Sequence, residues 1–169
     1  MRRLFTFAVM LALSWLCLPA TFAQSTAVCN FDPDTQLVVE YQPFTAESNK
    51  PVFGHEIPFN KVWAPGGKPM TIFVNHAVTL AGKDIPVGAY TLFLVPSEKQ
   101  WTLIVSRNTD TSGKYDEHDD LVRVPMESGE LSSPEKSFSV YFAHLAPTQC
   151  NMRVDLDKVR AWVDFIEKK

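Results

Sequence analysis

Apolar and polar residues alternate with a period of two along much of this chain, and no other feature restricts its fold as strongly. Residues 152–156 place an apolar side chain at every second position, and residues 159–165 repeat the pattern. Successive side chains of a β-strand point to opposite faces, so the alternation predicts strands with one buried face. Asp157 and Lys158 separate the two runs and are expected to form the turn of a β-hairpin.

Other segments extend this interpretation to the rest of the chain. Residues 90–95 and 101–105 are almost continuously apolar, which predicts a central hairpin buried on both faces. Residues 71–74 and 78–80 flank a turn at residues 75–77 and predict two further strands. Three more strands are predicted over residues 37–41, 121–126 and 138–142.

Twelve prolines are spread over the chain and disfavour long helices. Short strands separated by turn residues are typical of β-sandwiches and barrels. We therefore predict an all-β fold that consists of a single antiparallel β-sandwich. The periodicity leaves a jelly-roll-like and an Ig-like topology open, because it assigns faces to strands but not neighbours.

Residues 1–23 have the composition of a secretory signal peptide. Two arginines precede an uncharged apolar stretch over residues 4–18, and a small-residue exit ends at Ala23. The apolar stretch is shorter than the roughly 20 residues that a membrane span requires. We predict cleavage after Ala23, with an uncleaved anchor as the alternative. The mature chain, residues 24–169, is then one β-sandwich domain that is exported to the periplasm or secreted.

Two cysteines remain in the mature chain, Cys29 near its start and Cys150 near its end. Such a pair in an exported protein predicts one disulfide, and two unpaired thiols are the alternative. The formal net charge of the full chain is −3, and it becomes −5 when Arg2 and Arg3 leave. A mildly acidic domain binds nucleic acid poorly, so no nucleic-acid partner is expected. No second apolar run is long enough to cross a membrane.

A set of motifs occurs here in the order in which one bacterial family has them. The motifs are Phe53-Gly54, Ile57-Pro58-Phe59-Asn60-Lys61-Val62-Trp63, Gly82-Lys83-Asp84-Ile85-Pro86-Val87-Gly88-Ala89-Tyr90-Thr91-Leu92-Phe93, Pro96, Trp101-Thr102-Leu103-Ile104, Tyr115, Asp120, Leu121 and Arg123. Together they resemble the family catalogued as domain of unknown function 2911, over about residues 37–165. The resemblance implies an exported or envelope-associated β domain. It implies no reaction, because the family has no assigned activity.

The chain departs from this family pattern directly after Trp63. The pattern runs Arg-Thr-Gly-Ala-Asn-Glu-Ala-Thr, and here Ala64 replaces the arginine, Lys68 the asparagine and Pro69 the glutamate. If those three polar groups form a site in relatives, this chain has lost it. A divergent or re-purposed member of the family is the corresponding hypothesis.

Five residues inside the resemblance are candidates for ligand binding: Lys61, Trp63, Tyr115, Asp120 and Arg123. Aromatic side chains on a sandwich can stack on sugars or peptides, but they can equally fill the core. For Asp120 and Arg123 the structural alternative is an ion pair where a strand begins.

Trp162 is a candidate for a partner surface. It lies on the polar side of the alternation, opposite in phase to Val163 and Phe165. A large aromatic side chain at such a position indicates contact with a partner or with a loop packed over it.

The acidic stretch 115–120 contains the only weak candidates for a metal site. Asp116, His118 and Asp120 could hold a divalent cation through carboxylate and imidazole groups. The stretch lacks the glycine and the regular ligand spacing of a calcium loop, so a solvated acidic loop is the favoured interpretation. We predict no metal, no cofactor and no catalytic constellation, since neither a nucleophile motif nor a phosphate-binding loop is present.

These observations favour a non-catalytic domain of the cell envelope that binds an unknown protein or a small molecule. One alternative is a hydrolase or metal-dependent enzyme that uses the acidic loop over residues 115–123. A second alternative is a carbohydrate-binding module.

Overall fold

A computed structural model of the chain describes residues 24–47, 51–112 and 114–169. The predicted signal peptide lies outside these ranges. The described residues form ten strands: β1 Ser25–Asn30, β2 Gln36–Tyr41, β3 Met70–Val74, β4 Val78–Leu80, β5 Lys83–Ile85, β6 Gly88–Val95, β7 Thr102–Ser106, β8 Asp120–Pro125, β9 Glu127–Ala146 and β10 Gln149–Glu167. The helices in this part of the chain are two 3-10 helices of three residues each, Pro65–Gly67 and Glu117–Asp119. No helix in it is long and apolar enough to cross a membrane.

The strands form two antiparallel sheets that pack face to face. One sheet has six strands in the order β1-β2-β3-β6-β7-β8, and the other has the order β5-β4-β10-β9. Side chains of the two inner faces form one core, with Leu37, Ile72 and Leu92 from the first sheet and Met152 and Phe165 from the second. The predicted all-β antiparallel sandwich is confirmed.

β10 folds back on itself at Asp157 and Lys158. Thirteen residues of extended strand would separate Asn151 from Asp164 by roughly 43 Å. Instead, the Asn151 side-chain amide lies 2.7 Å from the Asp164 carboxylate, and Asp157 has a φ of 53°. β10 therefore supplies two antiparallel arms, 149–156 and 159–167, and the hairpin predicted from the alternation is confirmed.

β9 pairs with each of these arms in turn. Its residues 139–146 lie beside the first arm, and its residues 127–130 lie beside the second. β4 pairs with the end of that second arm, opposite Phe165. The second arm thus has three neighbours and forms the centre of its sheet.

The central hairpin β6–β7 is covered on both faces, as predicted. Leu92 and Leu94 point into the core, whereas Phe93 and Ile104 are buried on the outer face of the sheet and outside the main core cluster. The Tyr115 ring, in the loop that follows β7, packs edge-on against Phe93 with the ring centroids 5.2 Å apart.

The turn at residues 75–77 does not join paired strands. β3 lies in the six-stranded sheet and β4 in the other, so this segment crosses from one sheet to the other. The Asn75 side chain fixes the crossing by accepting a hydrogen bond from the Gln36 amide and donating one to the Asp34 carbonyl, at 2.7 and 2.9 Å.

The predicted disulfide is present between Cys29 of β1 and Cys150 of β10. Its Cα atoms are 6.2 Å apart, within the usual range for a disulfide. Both cysteines are buried in the core, so the bond links the two sheets directly.

Candidate functional site

A cleft of about 400 Å³ lies on the outer face of the six-stranded sheet, where β2, β3 and β6 run side by side. Eleven residues line it: Gln24, Glu40, Tyr41, Gln42, Lys68, Pro69, Thr71, Phe73, Ala89, Thr109 and Thr111. Two of the three positions at which the chain departs from the family pattern, Lys68 and Pro69, are among them.

Phe73 forms the aromatic part of the cleft floor. Ile72 and Val74 are buried in the core, so the intervening Phe73 must face outward, and 41 % of it is exposed. In the strand register Phe73 lies opposite Val38 on one side and Ala89 on the other. The floor therefore presents an aromatic ring beside a small residue, which leaves the ring accessible.

The side of the cleft formed by β1 and β2 carries amide and carboxylate groups. The Gln24 side-chain amide donates a hydrogen bond of 3.1 Å to the Glu40 carboxylate. Glu40 lies directly opposite Thr71 in the neighbouring strand, which adds a hydroxyl group to the same row.

A tight turn brings Lys68 and Pro69 to the cleft. Gly66 has a φ of 67°, a conformation that strains other residues. A Cβ atom there would lie 2.9 Å from the Cβ of Gln42, so only glycine permits this approach of the turn to the end of β2. Lys68 follows the turn and is exposed at the rim.

The loop after β7 supplies Thr109 and Thr111 to the opposite wall. The buried Thr91 hydroxyl donates a 2.6 Å hydrogen bond to the Asn108 carbonyl, which fixes the start of the loop on the sheet. The Arg107 amide donates to the Asp119 carbonyl at 2.8 Å and closes the base of the loop.

Tyr115, Asp120 and Arg123 form a clasp that fastens the end of this loop. The Tyr115 hydroxyl donates to the Asp120 carboxylate at 2.8 Å, and the Arg123 guanidinium bonds both groups, at 2.6 Å to Asp120 and 2.5 Å to Tyr115. Burial raises the pKa of the Tyr115 phenol, and the hydrogen bond to Asp120 raises the pKa of Arg123. The Asp120–Arg123 pair considered from the sequence is thus present.

The five candidate ligand-binding residues do not form one site. The clasp lies on the outer face of the sheet, where Tyr115 meets Phe93. Trp63 pairs through its backbone with the inward-facing Leu94, and its ring packs on Phe44 and Phe138 at 5.7 and 5.4 Å. Lys61 is exposed in the segment before Trp63.

The candidate metal residues separate into two groups. Asp116 holds the exposed imidazole of His118 through a 2.8 Å contact, and this raises the pKa of His118. The Asp120 carboxylate belongs to the clasp instead. Over the described ranges, no three His, Cys, Asp or Glu side chains gather closely enough to hold a metal ion.

Trp162 lies on the outer face of the four-stranded sheet and is half-buried. Its indole N–H donates to the Glu127 carboxylate at 3.1 Å. Nearby, Arg160 forms two hydrogen bonds of 2.9 and 2.7 Å with the buried Asp155. A partner surface at Trp162 stays a prediction.

The cleft was not found by sequence reasoning, although one signal pointed to it. Phe73 occupies an outward position in a strand whose other apolar residues face inward. A large aromatic residue at a position where the alternation calls for a polar one indicates an exposed apolar surface.

A family model described as "Protein of unknown function (DUF2911)" matches residues 23–165 of this chain. No curated protein and no solved structure matches it. The matched region contains every residue that lines the cleft.

Proposed function

This chain belongs to the DUF2911 family of proteins of unknown function, and from that premise we propose that residues 24–169 form a non-catalytic module that binds a carbohydrate in the cleft around Phe73. The observation that carries the proposal is Phe73, which is 41 % exposed and lies on the floor of a cleft of about 400 Å³. Clefts of this size are typical of small-molecule sites.

The chemistry of the lining suits a sugar. One face of a sugar ring presents C–H groups, which pack on an aromatic ring, and its edge presents hydroxyl groups that both donate and accept hydrogen bonds. Phe73 supplies the ring, and amide and hydroxyl groups that can donate and accept come from Gln24, Gln42, Thr71 and Thr109. These groups keep their protonation state around neutral pH, which favours binding over acid–base chemistry.

Two further features support a role outside the cytoplasm. Residues 1–23 have the composition of a cleaved signal peptide. The Cys29–Cys150 disulfide is of a kind that persists in oxidising compartments.

The test is a binding screen of the purified mature domain on an array of neutral and acidic glycans, followed by calorimetry. We expect Phe73→Ala to weaken binding of the selected sugars about tenfold, which corresponds to about 1.4 kcal/mol of lost stacking. Val87→Ala is the matched control, because Val87 is 61 % exposed and does not line the cleft. An array without a bound glycan, or full affinity in the Phe73→Ala variant, would reject the function.

A further inference from the structure

An apolar row crosses the outer face of the six-stranded sheet. The strand register places Val28 of β1 opposite Val38 of β2, Val38 opposite Phe73 of β3, and Phe73 opposite Ala89 of β6. Val28 and Phe73 are 48 % and 41 % exposed, Ala89 is exposed and Val38 is half-buried. Four successive strands thus present an apolar side chain to the outside at the same level.

This row departs from the usual alternation, as Phe93 and Ile104 do elsewhere on the outer face, but Val28, Phe73 and Ala89 are exposed whereas those two residues are buried. An antiparallel sheet with one solvated face normally carries polar residues on that face. The adjacent outward row follows the rule on β1, β2 and β3, where Thr26, Glu40 and Thr71 lie opposite one another, and it continues on β6 at the buried Thr91. An apolar row and a polar row therefore run in parallel across the sheet, about 7 Å apart.

The apolar row is continuous with the cleft. Phe73 and Ala89 belong both to the row and to the cleft lining, and Glu40 and Thr71 of the polar row line the cleft as well. From Ala89 to Val28 the row spans three inter-strand steps, about 14 Å. This is longer than a single sugar ring, and the row ends at the edge strand β1.

We propose that the ligand is an oligosaccharide chain that lies across the strands, with one sugar in the cleft at Phe73 and further units along the row towards Val28. This inference rests on the proposed function and specifies its ligand. A chain of sugar rings offers both features of the surface, C–H faces for the apolar row and hydroxyl edges for the polar row. An extended peptide, by contrast, would use the backbone groups at a sheet edge.

A substitution at Val28 distinguishes an oligosaccharide ligand from a short sugar that fills only the cleft. It lies two inter-strand steps, about 10 Å, from Phe73, beyond the reach of a ligand that fills only the cleft. Val28→Ser removes apolar contact at the far end of the row without touching the cleft lining. Val28→Thr keeps the branched shape that suits a strand, so the pair of variants separates loss of contact from a disturbed β1.

The experiment is calorimetric titration of the mature domain with cellobiose, cellohexaose, chitobiose and chitohexaose. In at least one series the six-unit sugar is expected to bind at least tenfold more tightly than the disaccharide. Val28→Ser should remove most of this gain and leave disaccharide affinity unchanged, whereas Phe73→Ala should weaken both lengths. Val87→Ser, outside the row, should change neither.

Equal affinity for the two lengths, or a length gain that survives in Val28→Ser, would overturn the oligosaccharide proposal and leave a short-sugar site standing. Failure of every sugar to bind, the disaccharides included, would reject the proposed function itself. A six-unit sugar can place more of its units in the cleft than a disaccharide can, which raises its apparent affinity by statistics alone. Val28→Ser controls for this effect because it leaves the number of units that can enter the cleft unchanged.

Discussion

In the acidic loop, the side chains of Asp116 and His118 bond to each other. Asp116 accepts hydrogen bonds from the backbone amide of His118 and from its ring, at 3.0 and 2.8 Å. The side chain of His118 is 87 % exposed and that of Asp116 is 55 % exposed. The pair is a solvated cap of the short turn that begins at Glu117 rather than part of a pocket.

We predict that Asp116→Asn lowers the pKa of His118 towards its ordinary value near 6.5, measured by NMR titration of the ring protons. The hydrogen bond that the His118 ring donates to the Asp116 carboxylate is the main cause of the raised pKa. Because the pKa of His118 is higher in the folded state, the pair stabilises the fold fully at a pH below the pKa of His118 in the unfolded chain. This stabilisation is lost as the pH rises through the pKa of His118 in the folded state. Glu117→Gln is the control and should have the smaller effect, and an unchanged pKa in Asp116→Asn would contradict the pairing.

Residue by residue, the sequence was informative where side chains bond to near neighbours in the chain. Asp120 and Arg123 are three positions apart, and their ion pair was the structural alternative to ligand binding that the sequence offered. The cleft could not be anticipated, because Phe73, Lys68 and Thr109 meet only through the order of the strands and the path of a loop. Periodicity gives the face of each residue and leaves its neighbours in space undetermined.

Among the elements, the hairpin within β10 was predictable because the pattern that indicates it lies in consecutive residues of the chain. Both arms alternate, and Asp157 and Lys158 interrupt the pattern. The link between β3 and β4 looks similar in sequence but crosses between the sheets. The difference depends on Asn75, which binds backbone groups at Asp34 and Gln36, about forty positions earlier in the chain. Contacts between residues so far apart in the chain cannot be predicted from the alternation of apolar and polar residues.

The hairpin turn gives a prediction at this scale. Asp157 has a φ of 53°, a region that aspartate tolerates and β-branched residues avoid. We expect Asp157→Val to lower the free energy of unfolding by about 1–2 kcal/mol and Asp157→Gly to leave it nearly unchanged. Urea unfolding followed by Trp fluorescence measures both, and equal stability of the two variants would show that the turn conformation is not the cause.

At the scale of the whole described structure, two sheets share one core, and the Cys29–Cys150 disulfide is a covalent cross-link between them. Its two cysteines are separated by 121 positions in sequence, so the oxidised chain has far less freedom when unfolded than the reduced chain. The pairing was predictable because the predicted cleavage after Ala23 removes Cys17 and leaves two cysteines in an exported chain, but the strands that the bond joins were not predictable.

We predict that Cys29→Ala/Cys150→Ala lowers the free energy of unfolding by up to about 4–5 kcal/mol, the chain-entropy value for a loop near this length. Urea unfolding of the oxidised protein against the double variant measures it. Reductant should destabilise the natural protein and leave the double variant unchanged. A loss below about 1 kcal/mol would mean that the unfolded state is already compact without the bond.

The same bond determines how the domain responds to mechanical load. Tension applied at the two ends would pass from Cys29 to Cys150 through the covalent bond and bypass the intervening chain. Only the residues before Cys29 and after Cys150 could be drawn out. Phe73 and the loop with Thr109 and Thr111 lie inside the closed segment, so the chain that carries them cannot be extended by the pull.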